Sequence, residues 1–92
     1  MPTPEELFGA RIRELRKARG WSQEELAERA YLHRVYVAGI EAGRRNVGLV
    51  NIVYLAKALD VSPGELFASF TPKVLKGLPG NERNKTRARR EK

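Results

Sequence analysis

Three times in 92 residues a Ser or Thr is followed three positions later by Glu: Thr3…Glu6, Ser22…Glu25 and Ser62…Glu65. Each hydroxyl can accept from the backbone N–H three residues on while the Glu carboxylate reaches back, so two donors orphaned at a helix start are satisfied together. Pro4 and Pro63 follow two of these caps at the first helical position, where a missing N–H does no harm. At the remaining cap Trp21 precedes Ser22 and Leu26 stands at the fourth helical position, the spacing of a hydrophobic staple. This punctuation commits the chain to helices, and no stretch alternates apolar and polar residues long enough to read as a strand.

Five helices follow. The first covers residues 4–19, with Phe8, Ile12 and Leu15 on one face and Gly20 at its end, where a left-handed residue is usual. The second, 23–30, turns Leu26, Ala27 and Ala30 inward, and the third, 33–42, turns Val37 and Ile40 inward and stops at Gly43. The third is too short to persist alone, so tertiary packing must hold it. After a loop at 44–48, a fourth helix over 49–59 keeps Leu49, Ile52, Val53, Ala56 and Leu59 at helical spacing, and a fifth covers 63–68. Past Phe70 the composition shifts to Lys, Arg, Asn, Gly and Pro. Residues 1–70 therefore read as one all-α, compact five-helix domain, and 71–92 as a basic C-terminal extension that is flexible from about residue 77.

The net charge of +7 is unevenly placed: residues 71–92 carry eight basic against two acidic side chains, leaving +1 for everything before them. A basic chain suggests a nucleic-acid partner through counterion release, but for residues 1–70 that case has to rest on the placement of particular side chains. The absence of Cys excludes a disulfide framework and a thiolate zinc site, and one histidine, His33, cannot build a metal cluster. With no Gly-rich phosphate loop and carboxylates mostly at caps or on outer helix faces, neither an enzyme nor a cofactor is expected. No apolar run nears the roughly 18 residues of a membrane span, and Met1-Pro2-Thr3-Pro4 has neither the basic nor the apolar region of a signal peptide. The expectation is a cytoplasmic protein without a membrane partner.

The run Ser22-Gln23-Glu24-Glu25-Leu26-Ala27-Glu28-Arg29-Ala30, Tyr31-Leu32, His33-Arg34-Val35-Tyr36-Val37-Ala38-Gly39-Ile40-Glu41-Ala42-Gly43 resembles the Cro/repressor helix-turn-helix family. The flanks, from Ile12 to Gln23 and from Leu55 to Val61, are similar to the family's first and fourth helices, so the resemblance spans about residues 5–68. It implies a five-helix repressor-type fold, a double-stranded DNA operator as partner and a third helix lying in the major groove. Two positions depart from the family pattern. Tyr31 stands where Gly often makes the turn, which implies a different turn or a strained one, and Val47-Gly48 replaces the usual Pro and Ser/Thr before the fourth helix, a weaker cap.

With Val37 and Ile40 inward, the outward and N-terminal positions of the third helix are His33, Arg34, Val35, Ala38 and Gly39, with Tyr36 at the margin. Arg34 can bind guanine O6 and N7 with two hydrogen bonds, Val35 can pack on a thymine methyl, and Tyr36 can reach a phosphate or sugar. Ala38 and Gly39 keep the surface low; Gly39, unfavourable inside a helix, suggests close approach of DNA or a neighbouring helix. His33 has the alternative role of capping the helix. The resemblance implies a phosphate contact for Gln23 at the start of the second helix and backbone contacts for Arg44, Arg45 and Asn46, with compensation of the helix end as the other reading of Arg44. It also implies a structural ion pair between Arg16 and Glu41.

Family members usually bind near-palindromic operators as two-fold dimers, which makes Leu66, Phe67, Phe70, Val74 and Leu75 candidates for a homodimer interface, Leu66 having the competing role of closing the monomer's core. The basic tail adds phosphate affinity or solubility. A stand-alone transcriptional regulator, such as a phage-type repressor or a restriction–modification controller, is the leading expectation. The alternatives are the DNA-binding antitoxin of a toxin–antitoxin pair, with a protein partner, and a protein–protein adaptor.

Overall fold

The computed structural model describes residues 1–81 and is helical throughout: α1 (Pro4–Ala18), α2 (Gln23–Ala30), α3 (Arg34–Glu41), α4 (Leu49–Leu59), α5 (Pro63–Leu66) and α6 (Pro72–Gly77). Among the described residues there is no strand, and no helix is long and apolar enough to cross a membrane. The all-α expectation holds, with one helix more than the five read from the sequence.

Local chemistry explains the helix starts. At α1, Glu6 N donates to Thr3 Oγ1 at 3.1 Å and Thr3 N donates to Glu6 Oε1 at 2.8 Å. At α2 the reciprocal bonds between Ser22 and Glu25 are 3.0 and 3.1 Å. The third box does not form: Ser62 caps α5 without a side-chain bond, and Glu65 N goes to the Ser62 carbonyl at 3.0 Å. In this one-turn helix the N–H that the Ser62 hydroxyl would cap is already taken by the Ser62 carbonyl. The sixth helix repeats the same grammar, Thr71 accepting from Val74 N at 3.2 Å with Pro72 after it. That start lies in the segment read as extension, and it lacks the Glu that marks the other three. The remaining basic residues assigned to the tail, from Arg83 onward, lie outside the described residues.

Phe8, Ile12 and Leu15 of α1, Leu26, Ala27 and Ala30 of α2, Val37 and Ile40 of α3, Leu55, Ala56 and Leu59 of α4, and Leu66 of α5 make one core. Helix α4 corrects the sequence reading. Leu49 and Val53 keep helical spacing yet are 76% and 43% exposed, while Leu55 is fully buried. Nearly all of α4 is apolar, so its pattern alone does not pick the buried face; packing against α2 and α5 does.

One contact sets the distance between α1 and α3. A Cβ at Gly9 would lie 2.0 Å from the Ile40 carbonyl oxygen and 3.0 Å from that of Glu41, so only glycine permits this approach. At the far side Arg11 Nε donates to the Glu65 carbonyl at 2.9 Å, tying α1 to α5. Helix α3 packs chiefly on α1 and α2, which bury Val37 and Ile40 and leave Arg34 and Val35 exposed.

Candidate nucleic-acid interface

The end of α3 is anchored by a charged network. Arg16 Nε and Nη2 donate to Glu41 Oε2 and Oε1 at 2.7 and 2.9 Å, Arg16 Nη1 donates to the Trp21 carbonyl at 2.7 Å, and Gln23 Nε2 donates to Glu41 Oε1 at 3.1 Å. Both charged side chains are almost wholly shielded from solvent. The Glu41 hydrogen bond raises the Arg16 pKa above its ordinary value, outweighing burial, which acts in the opposite direction. One network thus joins α1, the entry to α2 and the last residue of α3.

This has an electrostatic consequence for α3. Between His33 and Asn46 the only acidic residue is Glu41, and Arg16 neutralises it, so this stretch supplies no free carboxylate of its own to offset Arg34, Arg44 and Arg45. All three are exposed. Arg34 is the first residue of α3, whose first turn carries no acid, and Arg44 N closes the end of the helix on the Gly39 carbonyl at 2.9 Å.

The remaining predicted positions divide. His33 is the N-cap residue of α3 but makes no side-chain cap bond, and its side chain is exposed, as is that of Val35. Ala38 is half-buried. Tyr36 is also half-buried, with its hydroxyl accepting from Asn51 Nδ2 at 3.3 Å and its ring centroid 5.5 Å from the Arg45 guanidinium. Gly39 is not an open outward position: it is buried, and a Cβ there would lie 3.0 Å from Arg45 Cγ and 3.1 Å from Arg45 Nε. The close approach that Gly39 implied is made by the chain's own Arg45. Asn46 is exposed beside it.

A helix anchored on one side, with exposed arginines at both ends and its one acid neutralised, is built to lie in a groove of DNA. The helix-turn-helix family HTH_3 matches residues 12–66, more than half of the chain. The chain belongs to the helix-turn-helix family of DNA-binding transcriptional regulators. It is 48% identical over 61 residues to the control protein C.BamHI of Bacillus amyloliquefaciens, covering 65% of this chain and 75% of that protein. Among solved structures it resembles the restriction-modification controller protein C.AhdI from Aeromonas hydrophila, with 59% identity and a TM-score of 0.68 over 68% of this chain and 96% of that one. The hypothetical transcription factor NHTF from Neisseria gives 36% identity and a TM-score of 0.68 over 91% and 85%.

Within the helix-turn-helix, α2 and α3 are the two helices and Tyr31 is the turn. Tyr31 adopts φ 56° and ψ 43°, so the turn has the left-handed geometry usual for glycine even though the residue is bulky. Its side chain is 93% exposed, which lets the backbone take this conformation without a steric clash in the core. Gln23 is more constrained than the resemblance implies, because Glu41 takes one of its amide protons; the second amide proton remains for another acceptor.

Gly9 and Asn51 escaped the sequence reading. A lone Gly inside a helical pattern is a signal of close packing and could have marked Gly9. Asn51, a polar residue in a mostly apolar helix, carries no comparable signal.

The candidate dimer residues separate by burial. Leu66 has no exposed surface, so it closes the monomer's core and has nothing to offer a second copy. Phe67 and Leu75 are 39% and 51% exposed, and Phe70 and Val74 are half-buried. Phe67 packs on Phe8 and Phe70 with ring centroids 5.3 and 5.6 Å apart. Phe67, Phe70 and Leu75 line an apolar cleft of about 770 Å³ that is also bounded by Ile52, Val47 and Leu78.

Proposed function

We propose that this chain is a sequence-specific regulator of the restriction–modification controller type that binds a near-palindromic operator as a homodimer, with α3 in the major groove. The observation that carries this reading is the pairing of Glu41 with Arg16, which leaves the three arginines around α3 as its net charge. Arg34, at the exposed start of α3, reads a guanine edge; Val35 packs on a thymine methyl; His33, Tyr36 and Ala38 complete the base-facing surface. Arg44, Arg45 and Asn46 hold the phosphate backbone after α3, and Gln23 grips a phosphate with the amide proton that Glu41 leaves free. The controller assignment is supported by the likeness to C.BamHI and C.AhdI.

The dimer forms around Phe67, Phe70, Val74 and Leu75. The support for Phe67, Phe70 and Leu75 is the open apolar cleft that they line with Phe8, Val47 and Ile52, which a second copy would cover; Val74 neighbours Leu75 on α6 and is half-buried.

The test is selection from a random-duplex library at two salt concentrations with the intact chain and Arg34→Ala. The expected result is a near-palindromic site whose preference relaxes at one symmetric position in the variant, a discrimination loss of about 1–3 kcal/mol. Salt-dependent binding that enriches no sequence in either protein would remove Arg34 from the reading and leave phosphate attraction alone.

A further inference from the structure

Arg45 lies across α3 instead of extending from the loop. Its stem covers Gly39, with Cγ and Nε within 3.0 and 3.1 Å of where a Cβ would stand, and its guanidinium faces the Tyr36 ring at 5.5 Å. Tyr36 is itself held from α4 by Asn51, whose Nδ2 donates to the phenol oxygen at 3.3 Å. The seat therefore has a floor of bare helix backbone and an aromatic wall braced by a second helix.

We propose that Gly39 is a positioning residue for DNA binding, kept free of a side chain so that Arg45 is fixed against α3 before DNA arrives. A free arginine on a loop loses much rotamer freedom when it grips a phosphate, whereas one already laid along a helix loses less. Glycine is a poor helix former, so the position sacrifices local helix stability for the alignment of a neighbouring cation. This inference rests on the placement of Arg45 in the DNA interface and adds to it the way in which Arg45 is held.

The experiment compares wild type, Gly39→Ala, Arg45→Ala and the double variant on the selected operator across a salt series, with melting curves for each. Arg45→Ala should weaken binding roughly tenfold, as for loss of one charge-assisted contact, and lower the log–log salt slope by about one. Gly39→Ala should lose a substantial part of the same affinity while melting at or above the wild-type temperature, since Ala favours the helix. In the Arg45→Ala background it should cost nothing further.

A Gly39→Ala affinity equal to wild type overturns the proposal, and so does a loss that persists without Arg45, because DNA would then be touching Gly39 itself. Wild-type binding by Arg45→Ala overturns it together with the place of Arg45 in the interface, while sequence selection through Arg34 stands or falls separately. Relaxation of the Arg45 Nε–H bond in the free protein provides a readout independent of DNA. It should report a restricted side chain in wild type and a freer one in Gly39→Ala, and equal mobility in the two would count against the seat.

Discussion

Arg16 holds both carboxylate oxygens of Glu41, at 2.7 and 2.9 Å, across 25 residues of sequence. The pair is the point at which α1 fixes the end of the recognition helix. Because Arg16 also donates to the Trp21 carbonyl, its removal takes the counter-charge from a buried carboxylate, leaving it only the Gln23 amide, and a donor from a backbone carbonyl together.

Glu41→Ala or Arg16→Ala should therefore destabilise the domain by about 3–5 kcal/mol, the cost of leaving a buried charge without its partner. Urea unfolding of the two single variants checks this, and a loss under about 1 kcal/mol would show that the pair is solvated. Arg16 has a raised pKa, so its contribution is complete below the ordinary arginine range and is lost only as pH rises through the raised value. Arg16 should consequently add no pH dependence to stability between neutral and moderately alkaline solution.

Gly9→Ala should destabilise by about 1–3 kcal/mol or more, because the new methyl meets the Ile40 carbonyl oxygen of α3, backbone that cannot give way like a side chain. Ala elsewhere on α1, at Glu14 or Lys17, should be close to neutral. Thermal melts of the three variants separate a packing effect at Gly9 from a general change in helix propensity.

Tyr31→Gly should stabilise the protein by about 0.5–1 kcal/mol, relieving the cost of a left-handed non-glycine residue less the entropy that glycine adds to the unfolded chain. The side chain is 93% exposed, so little packing is lost in exchange. Asp60, at φ 57°, should gain less from the same change, since Asp tolerates this region better. Denaturant midpoints of both variants are the measurement; a destabilised Tyr31→Gly would mean that the tyrosine ring makes a stabilising contact.

On α4, Leu55→Ala should cost about 2–5 kcal/mol and Val53→Ala less than about 1 kcal/mol. Leu55 is fully buried and Val53 is 43% exposed. Equal losses at the two positions would show that Val53 is as deeply packed as Leu55.

The parts of this protein written in its sequence are those that depend on neighbours along the chain. Capping boxes at Thr3 and Ser22, proline at the first helical position, and the 3.6-residue spacing of Phe8, Ile12 and Leu15 act over one or two turns, so they specify helices before any tertiary contact exists. Arg34 is legible for the same reason: it is the first residue of α3, where the helix end itself is exposed. The tertiary structure decided what depends on distant partners. It buried Leu55 in place of Val53, withdrew Leu66 from any interface, and committed one amide proton of Gln23 to Glu41. It also filled the space above Gly39 with Arg45, a residue six positions further on and across a turn. Helix propensity is a local property, whereas burial and the direction of a long polar side chain depend on which helices meet and how closely, and in this chain Gly9 and the Arg16–Glu41 pair set that meeting.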